Sequence, residues 1–309
     1  YGLKPVFVDI DIKTLNIDTK QLEKALSKKT KLIMVAHTLG IPFDIDQIIK
    51  IKNKYNLWLI EDCCDALGSK WNNKLLGTYG DLSTFSFYPA HQITMGEGGA
   101  VVTNNSILFR LLKQFRDWGR DCWCDTGHDN TCGKRFNWKI GDLPYGYDHK
   151  YIYSQIGFNL KLTDFQAAVG LAQLNKLPKF IQLRKNNYIQ LYKIFSRYPK
   201  YFKLAQPEKQ ADPCWFGFPV VIKNTSPFSR NEIIQYLENI KIGTRPIFAG
   251  NIVKHPAYTN INKRILGKLT NCDLALNNGF WIGVWPGINN RHIKYIKNVL
   301  FKFIQLFNY

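Results

Sequence analysis

The chain has 309 residues, 45% of them hydrophobic and 14% aromatic, enough to bury one large core with a smaller one beside it. Its 42 basic and 23 acidic residues leave a net charge of +19, but the lysines are scattered through helical segments such as Gln21–Lys29, with no Arg-rich arm or basic–aromatic repeat, so no nucleic-acid partner is expected. No apolar run approaches the roughly 20 residues that span a bilayer, and seven cysteines, an odd number in a long chain, argue against a secreted disulfide framework and for the cytoplasm.

The sequence opens at Tyr1, without a Met, just ahead of a strand-like run at Val6–Ile10, and reads as a fragment of a longer chain. Asp18, followed three residues later by Gln21, predicts a capped helix through Leu26. Leu32–Ala36 and Leu57–Ile60 are apolar runs separated by helical spacing over Ile45–Tyr55. Buried strands alternating with helices predict a parallel sheet with crossovers, whose ligand crevice lies at the strands' C-terminal ends. Asp62 falls at one such end; His91 follows another, Thr84–Tyr88, in a turn that leads through Gly96, Gly98 and Gly99 to a further strand, Ala100–Thr103.

Residues 118–150 are rich in Cys, Gly, Asp, Trp and Tyr without a period and predict an ordered insertion. An Ala-rich helix over Leu162–Leu177 and a second to about Phe195 follow, then strands at Phe218–Ile222 and Phe280–Val284 with helices at Ser229–Ile240 and Arg291–Phe307. The expected architecture is α/β: a mostly parallel sheet in a large domain over residues 1–165, with 118–150 inserted, then interdomain helices and a smaller α/β domain over 166–309.

Some of these residues carry chemistry. His91 offers an imidazole, which moves protons near neutral pH but is a poor amine-type covalent anchor. Cys64, Cys122, Cys124 and Cys132 are separated by 57, 1 and 7 residues, so three thiols sit on one irregular loop and all four can converge on tetrahedral zinc or an iron–sulfur cluster. Spacing leaves the metal open. Cys63 would point away from Cys64, and Cys214 and Cys272 read as small buried fillers. An unpaired carboxylate ending a buried strand is costly, so Asp62 needs a partner: the protonated ring nitrogen of a pyridoxal-type cofactor, a helix cap or an ion pair. Ser86 alone is uninformative.

The segment GDLSTFSFYPAHQITMGEGGAVVTN (Gly80–Asn104) resembles the active-site segment of the DegT/DnrJ/EryC1/StrS family of sugar aminotransferases, pyridoxal-phosphate enzymes of fold type I, in which a Lys stands at the position of His91. His91, EDCCDALGS (Glu61–Ser69) and the cysteine spacing are similar to a dehydrase branch of that family. The likeness continues through GFNLKLTDFQAAVGLAQL (Gly157–Leu174), DPCWFGFP (Asp212–Pro219), GTRPIFAGN (Gly243–Asn251) and FWIGVWPG (Phe280–Gly287).

The resemblance implies that Asp62 pairs with the pyridine nitrogen, that Ser86 binds the cofactor phosphate, and that Asp65 lies near the pyridine ring. It implies that Asn159 reaches the phosphate of a neighbouring subunit in a homodimer, and that the four cysteines hold a [2Fe–2S] cluster. Without a Lys to tether an aldehyde, the cofactor would be diffusible pyridoxamine 5′-phosphate (PMP), with His91 as general base. The implied reaction removes the C3 hydroxyl of a CDP-4-keto-6-deoxyhexose in the biosynthesis of 3,6-dideoxysugars for lipopolysaccharide, with electrons from a flavin and iron–sulfur, NADH-dependent reductase. Arg245 is a cationic candidate for the nucleotide phosphates. The alternatives are a pyridoxal-phosphate (PLP) nucleotide-sugar aminotransferase, a His-containing 3-dehydrase without a cluster, and a non-catalytic interaction protein; the cysteine set disfavours the first two.

Overall fold

The computed structural model describes residues 2–125 and 127–307. Four strands form the sheet that carries the site: β1 (Leu32–Ala36), β2 (Trp58–Asp62), β3 (Leu82–Ser86) and β4 (Gly99–Val102), in that spatial order. β1, β2 and β3 run parallel, with Ala36 beside Asp62 and Asp62 beside Thr84, while β4 returns antiparallel and places Gly99 beside Ser86. The crossover from β1 to β2 is the helix Ile45–Tyr55. Asp44 caps it by accepting from the Gln47 amide, and Ile45, Ile48 and Ile51 share the face packed onto Leu59, Phe43 and Trp71.

A second sheet, entirely antiparallel, has the order Phe202–Leu204, Gly217–Ile222, Gly279–Gly283, Thr244–Pro246. Its core joins Phe218, Val220, Phe280 and Ile282 to Leu191 and Phe195 of the long helix Leu177–Phe195 and to Leu300 and Phe303 of the helix Asn290–Gln305. Every residue of Gly217–Ile222 is buried, which is why that stretch reads as a continuous apolar run instead of an alternating one.

The N-terminal residues reach across to the C-terminal half. The strand predicted over Val6–Ile10 is split: Val6–Phe7 pairs in parallel with Arg264–Ile265, and Ile10–Asp11 pairs antiparallel with Asn16–Ile17. Asp9 then turns aside to accept the Asn271 and Cys272 amides at 3.0 and 2.9 Å, satisfying first-turn donors of the helix Thr270–Asn278. No helix among the described residues is long and apolar enough to cross a membrane.

One buried hub fixes the edge of the first sheet. Glu61 is wholly buried and accepts from the amides of Gly77, Tyr79 and Gly80, the Ser83 hydroxyl at 3.3 Å and His37 Nε2 at 3.3 Å. His37 Nδ1 accepts the Phe43 amide, which fixes the tautomer that donates from Nε2. Glu61, His37 and Cys63 lie close enough to hold a metal, but every oxygen of Glu61 and both nitrogens of His37 are already engaged, so the cluster is structural. Burial drives the Glu61 carboxyl upward, and the donors from His37, Gly80 and Gly77 outweigh it and hold it below the usual range. A depressed carboxyl stabilises the fold above the unfolded value of about 4.3 and loses that contribution as pH falls through the folded value. Glu61→Ala should therefore cost about 3–5 kcal/mol in urea unfolding at neutral pH, with the deficit narrowing below pH ~4.

Candidate active site

β2 and β3 end side by side, and their last residues supply the site. Asp62 Oδ1 accepts the Cys64 amide at 3.0 Å and the Thr84 hydroxyl at 3.3 Å, and the Cys64 thiol also interacts with this carboxylate. Ser86 ends β3 two residues beyond Thr84, its hydroxyl accepting the Tyr88 amide at 3.3 Å. The chain then turns: the His91 amide donates to the Tyr88 carbonyl, Met95 to Phe87, and Phe87 to Gly98. Gly96, at φ +80°, supplies the left-handed residue this return needs.

The turn delivers His91 between the sheet edge and the second half of the chain. Nδ1 lies 3.5 Å from Asp65 Oδ1, at ion-pair range but without a hydrogen bond, and so is a buried polar atom with no partner in the protein. One face of the ring rests on Phe216 (centroids 5.1 Å) and its edge meets Tyr88 (6.5 Å). Burial, reinforced by the charge of Arg184, pushes the imidazole below its usual range, against the pull of Asp62. Burial raises Asp65 to about 7, with the Leu39 amide opposing and Asp62 adding repulsion. A neutral imidazole facing an open carboxylate at a strand end is equipped to accept a proton from a bound molecule.

The segment Cys214–Phe216 closes the far side. The Cys214 amide donates to Ser69 Oγ at 2.8 Å, the Phe216 amide to the Leu39 carbonyl at 2.9 Å, and Gln92 Nε2 reaches the carbonyls of Asp65 and Cys214. Gly40 is required beneath it: φ is +86° and a Cβ there would strike the Cys214 carbonyl. Phe216 packs on Trp281 (5.3 Å), which pairs in register with Arg245. Arg245 is thus two aromatic rings from His91, exposed, and donates to its neighbour's carbonyl at Thr244.

The cysteines divide. Cys122, Cys124 and Cys132 interact with one another on the 118–150 loop, where Thr131, then Cys132 and Cys122, lower Cys124 to about 7 despite some desolvation, while burial raises Cys122. Cys132 also accepts the Lys134 amide at 3.4 Å. Cys64 stands at the strand end, its sulfur 3.9 Å from the Thr84 hydroxyl, and burial with Asp62 behind it raises it to about 12. Among the described residues the four sulfurs do not all lie within 4.8 Å of one another. Cys63, Cys214 and Cys272 are buried elsewhere. Asn159 is not drawn to His91 within the chain: it bridges to Asp117 on an exposed stretch and accepts from Lys161 at 3.2 Å.

Strand-end reasoning placed Asp62 and His91, and the family resemblance named Asp65 and Ser86; Phe216, Thr84, Gln92 and Arg184 were missed because their roles depend on contacts between distant segments. The arrangement is that of the fold type I pyridoxal-phosphate enzymes. The chain belongs to the DegT/DnrJ/EryC1/StrS aminotransferase family, whose pattern matches residues 1–301. It is 50% identical over 305 residues to the lipopolysaccharide biosynthesis protein RfbH of Salmonella typhimurium, covering 99% of this chain and 70% of that one. It is 46% identical over 303 residues to the dTDP-4-dehydro-2,6-dideoxy-D-glucose 3-dehydratase of Saccharopolyspora spinosa, covering 98% and 65%. The E coli GDP-4-keto-6-deoxy-D-mannose-3-dehydratase with bound hydrated PLP superposes with a TM-score of 0.85 at 30% identity, over 97% of this chain and 75% of that one.

Proposed function

We propose that the protein removes the C3 hydroxyl from a CDP-4-keto-6-deoxyhexose, using PMP and a [2Fe–2S] cluster. The observation that carries this reading is His91: at the strand-end turn, where an aminotransferase needs an amine, stands a half-buried imidazole with an unpartnered nitrogen. The named relatives with stated reactions act on position 3 of a 4-keto sugar nucleotide, whereas their nucleotides are dTDP and GDP. The CDP group therefore rests on the resemblance of the sequence segments.

The residues fit the cofactor. Asp62, its Oδ1 anchored by the Cys64 amide and the Thr84 hydroxyl, would pair with a ring N–H. Ser86, at the end of β3, would bind the phosphate, joined by Asn159 of a second copy. Bound there, PMP would supply a primary amine and a ring able to take up electrons. His91, kept neutral, would be the base that accepts a proton at this site, with Asp65, 3.5 Å from Nδ1, orienting its ring. Arg245 serves the nucleotide phosphates at the exposed mouth.

Removing a hydroxyl reductively needs electrons, which zinc cannot supply. The cluster would take electrons singly from a flavin and iron–sulfur, NADH-dependent reductase. Ile156 (91% exposed), Phe165 (87%), Leu160 and Leu171 form an apolar surface beside Asn159 that a second subunit would cover. Sedimentation should accordingly give twice the chain mass of 35.9 kDa, and a folded monomer would contradict the dimer. Nucleotide-sugar chemistry and an odd cysteine count in a long chain support a cytoplasmic location. The test is cofactor choice: protein reconstituted with iron, sulfide and PMP, given reductase and NADH, should deplete the sugar nucleotide, whereas PLP with glutamate should yield no amino sugar.

A further inference from the structure

Arg184 lies on the helix Leu177–Phe195, only 3% exposed, and among the described residues no carboxylate is within ion-pair distance, Asp65 acting on it from further away. Its guanidinium spans two chain segments instead. One arm donates to the His91 carbonyl at 3.1 Å, the other to the carbonyls of Trp215 and Phe216 at 3.2 and 3.3 Å, and Nε has no partner. One turn along the same helix, Tyr188 stacks on Trp215 with centroids 3.4 Å apart. A buried cation satisfied only by carbonyls is an expensive arrangement, and a helix of ordinary packing would be better served by an apolar residue. The cost calls for a reason, and the three carbonyls name it: they belong to His91, to the residue whose ring covers His91, and to that residue's neighbour.

We propose that Arg184 is a positioning residue for His91, its guanidinium locking the His91 turn against Phe216 and setting a positive charge behind the imidazole. The proposal rests on His91 acting as the base. The groups facing the ring are Asp65 from the segment after β2, Asp62 from the end of β2, Tyr88 on its own turn, and Arg184 from the helix, with Cys214 behind Arg184. Asp62 favours an imidazolium, which cannot accept a proton; burial first, then Arg184, oppose it. The fork fixes where the base stands and its charge fixes the base's protonation, two effects that different substitutions separate.

Arg184→Gln keeps N–H donors for the carbonyls and removes the charge, with Arg184→Met as a second neutral variant; Arg184→Lys keeps the charge and removes the fork. Titration of His91 by NMR, in the full chain without cofactor, should show its pKa rising by about one unit in the neutral variants and staying near the natural value in Arg184→Lys. The acidic limb of the pH–rate profile should move to higher pH in Arg184→Gln. In Arg184→Lys the limb should stay in place while the rate falls about tenfold or more at every pH. An unmoved His91 titration in a folded neutral variant, or equal shifts in the Gln and Lys variants, would overturn the proposal. Absence of turnover by the natural chain would count against the proposed reaction and leave the NMR test intact.

Discussion

His91→Lys should take PLP into a covalent link at residue 91 that borohydride reduces and fixes, whereas the natural chain treated identically should yield none. The physical argument is the nucleophile. An imidazole flanked by Asp65 and Phe216 can hold a proton but cannot make the stable bond to an aldehyde that a primary amine makes. The same turn, held by Arg184 and Gln92, would present the lysine amine at the strand end beside Asp62 and Asp65, where its neutral form can attack the aldehyde with loss of water. The complementary change, His91→Asn, keeps a polar side chain of similar reach without the proton chemistry. It should lower turnover by about 10²–10⁴-fold, the usual worth of a positioned base, with little change in PMP binding. Mass spectrometry of peptides after borohydride treatment checks the first outcome and single-turnover kinetics the second.

Cys124→Ala should abolish the cluster. Cys124 is the cysteine whose surroundings favour the thiolate, with Thr131, Cys132 and Cys122 all drawing it down, and the thiolate is the ligand form. Removing it takes the middle of the three converging thiols. After anaerobic reconstitution the natural chain should be brown, carry two irons and two sulfides, and give an EPR signal on reduction. Cys124→Ala should show none of these, and turnover should vanish with them. Cys272→Ala is the control: Cys272 is buried beside Asp9 at the start of the helix Thr270–Asn278, where burial raises its thiol to about 12, and its loss should leave the colour unchanged. Cluster content that survives in Cys124→Ala would show that another set of donors holds the metal.

The parts of this site legible in the sequence are those set by local order along the chain. Asp62 and His91 each follow an apolar run, so the rule that ligands gather at strand ends places both without any contact being known. Asp18 was readable as a helix cap because the Gln21 side chain that supports it is three residues away. What stayed hidden depends on segments that meet only in three dimensions. Arg184 sits in a helix with Lys179, Lys185 and Lys193, and nothing in its neighbours distinguishes a buried fork from a solvated charge. Glu61 precedes Asp62 in a strand, and its burial by His37 and the 77–80 loop is invisible at the level of spacing. The run Val6–Ile10 looked like one strand because the Asp9 carboxylate's task, capping a helix 262 residues away, leaves no local trace.

The most direct test of the account is the fate of carbon 3. The reconstituted protein, with PMP, reductase and NADH, is given CDP-4-keto-6-deoxyhexose in deuterated water, and the product is read by NMR. Carbon 3 should change from a hydroxyl-bearing methine to a methylene carrying one solvent deuterium, with the keto group at carbon 4 restored. A product that keeps its 3-hydroxyl and carries an amino group at carbon 4 would contradict the account.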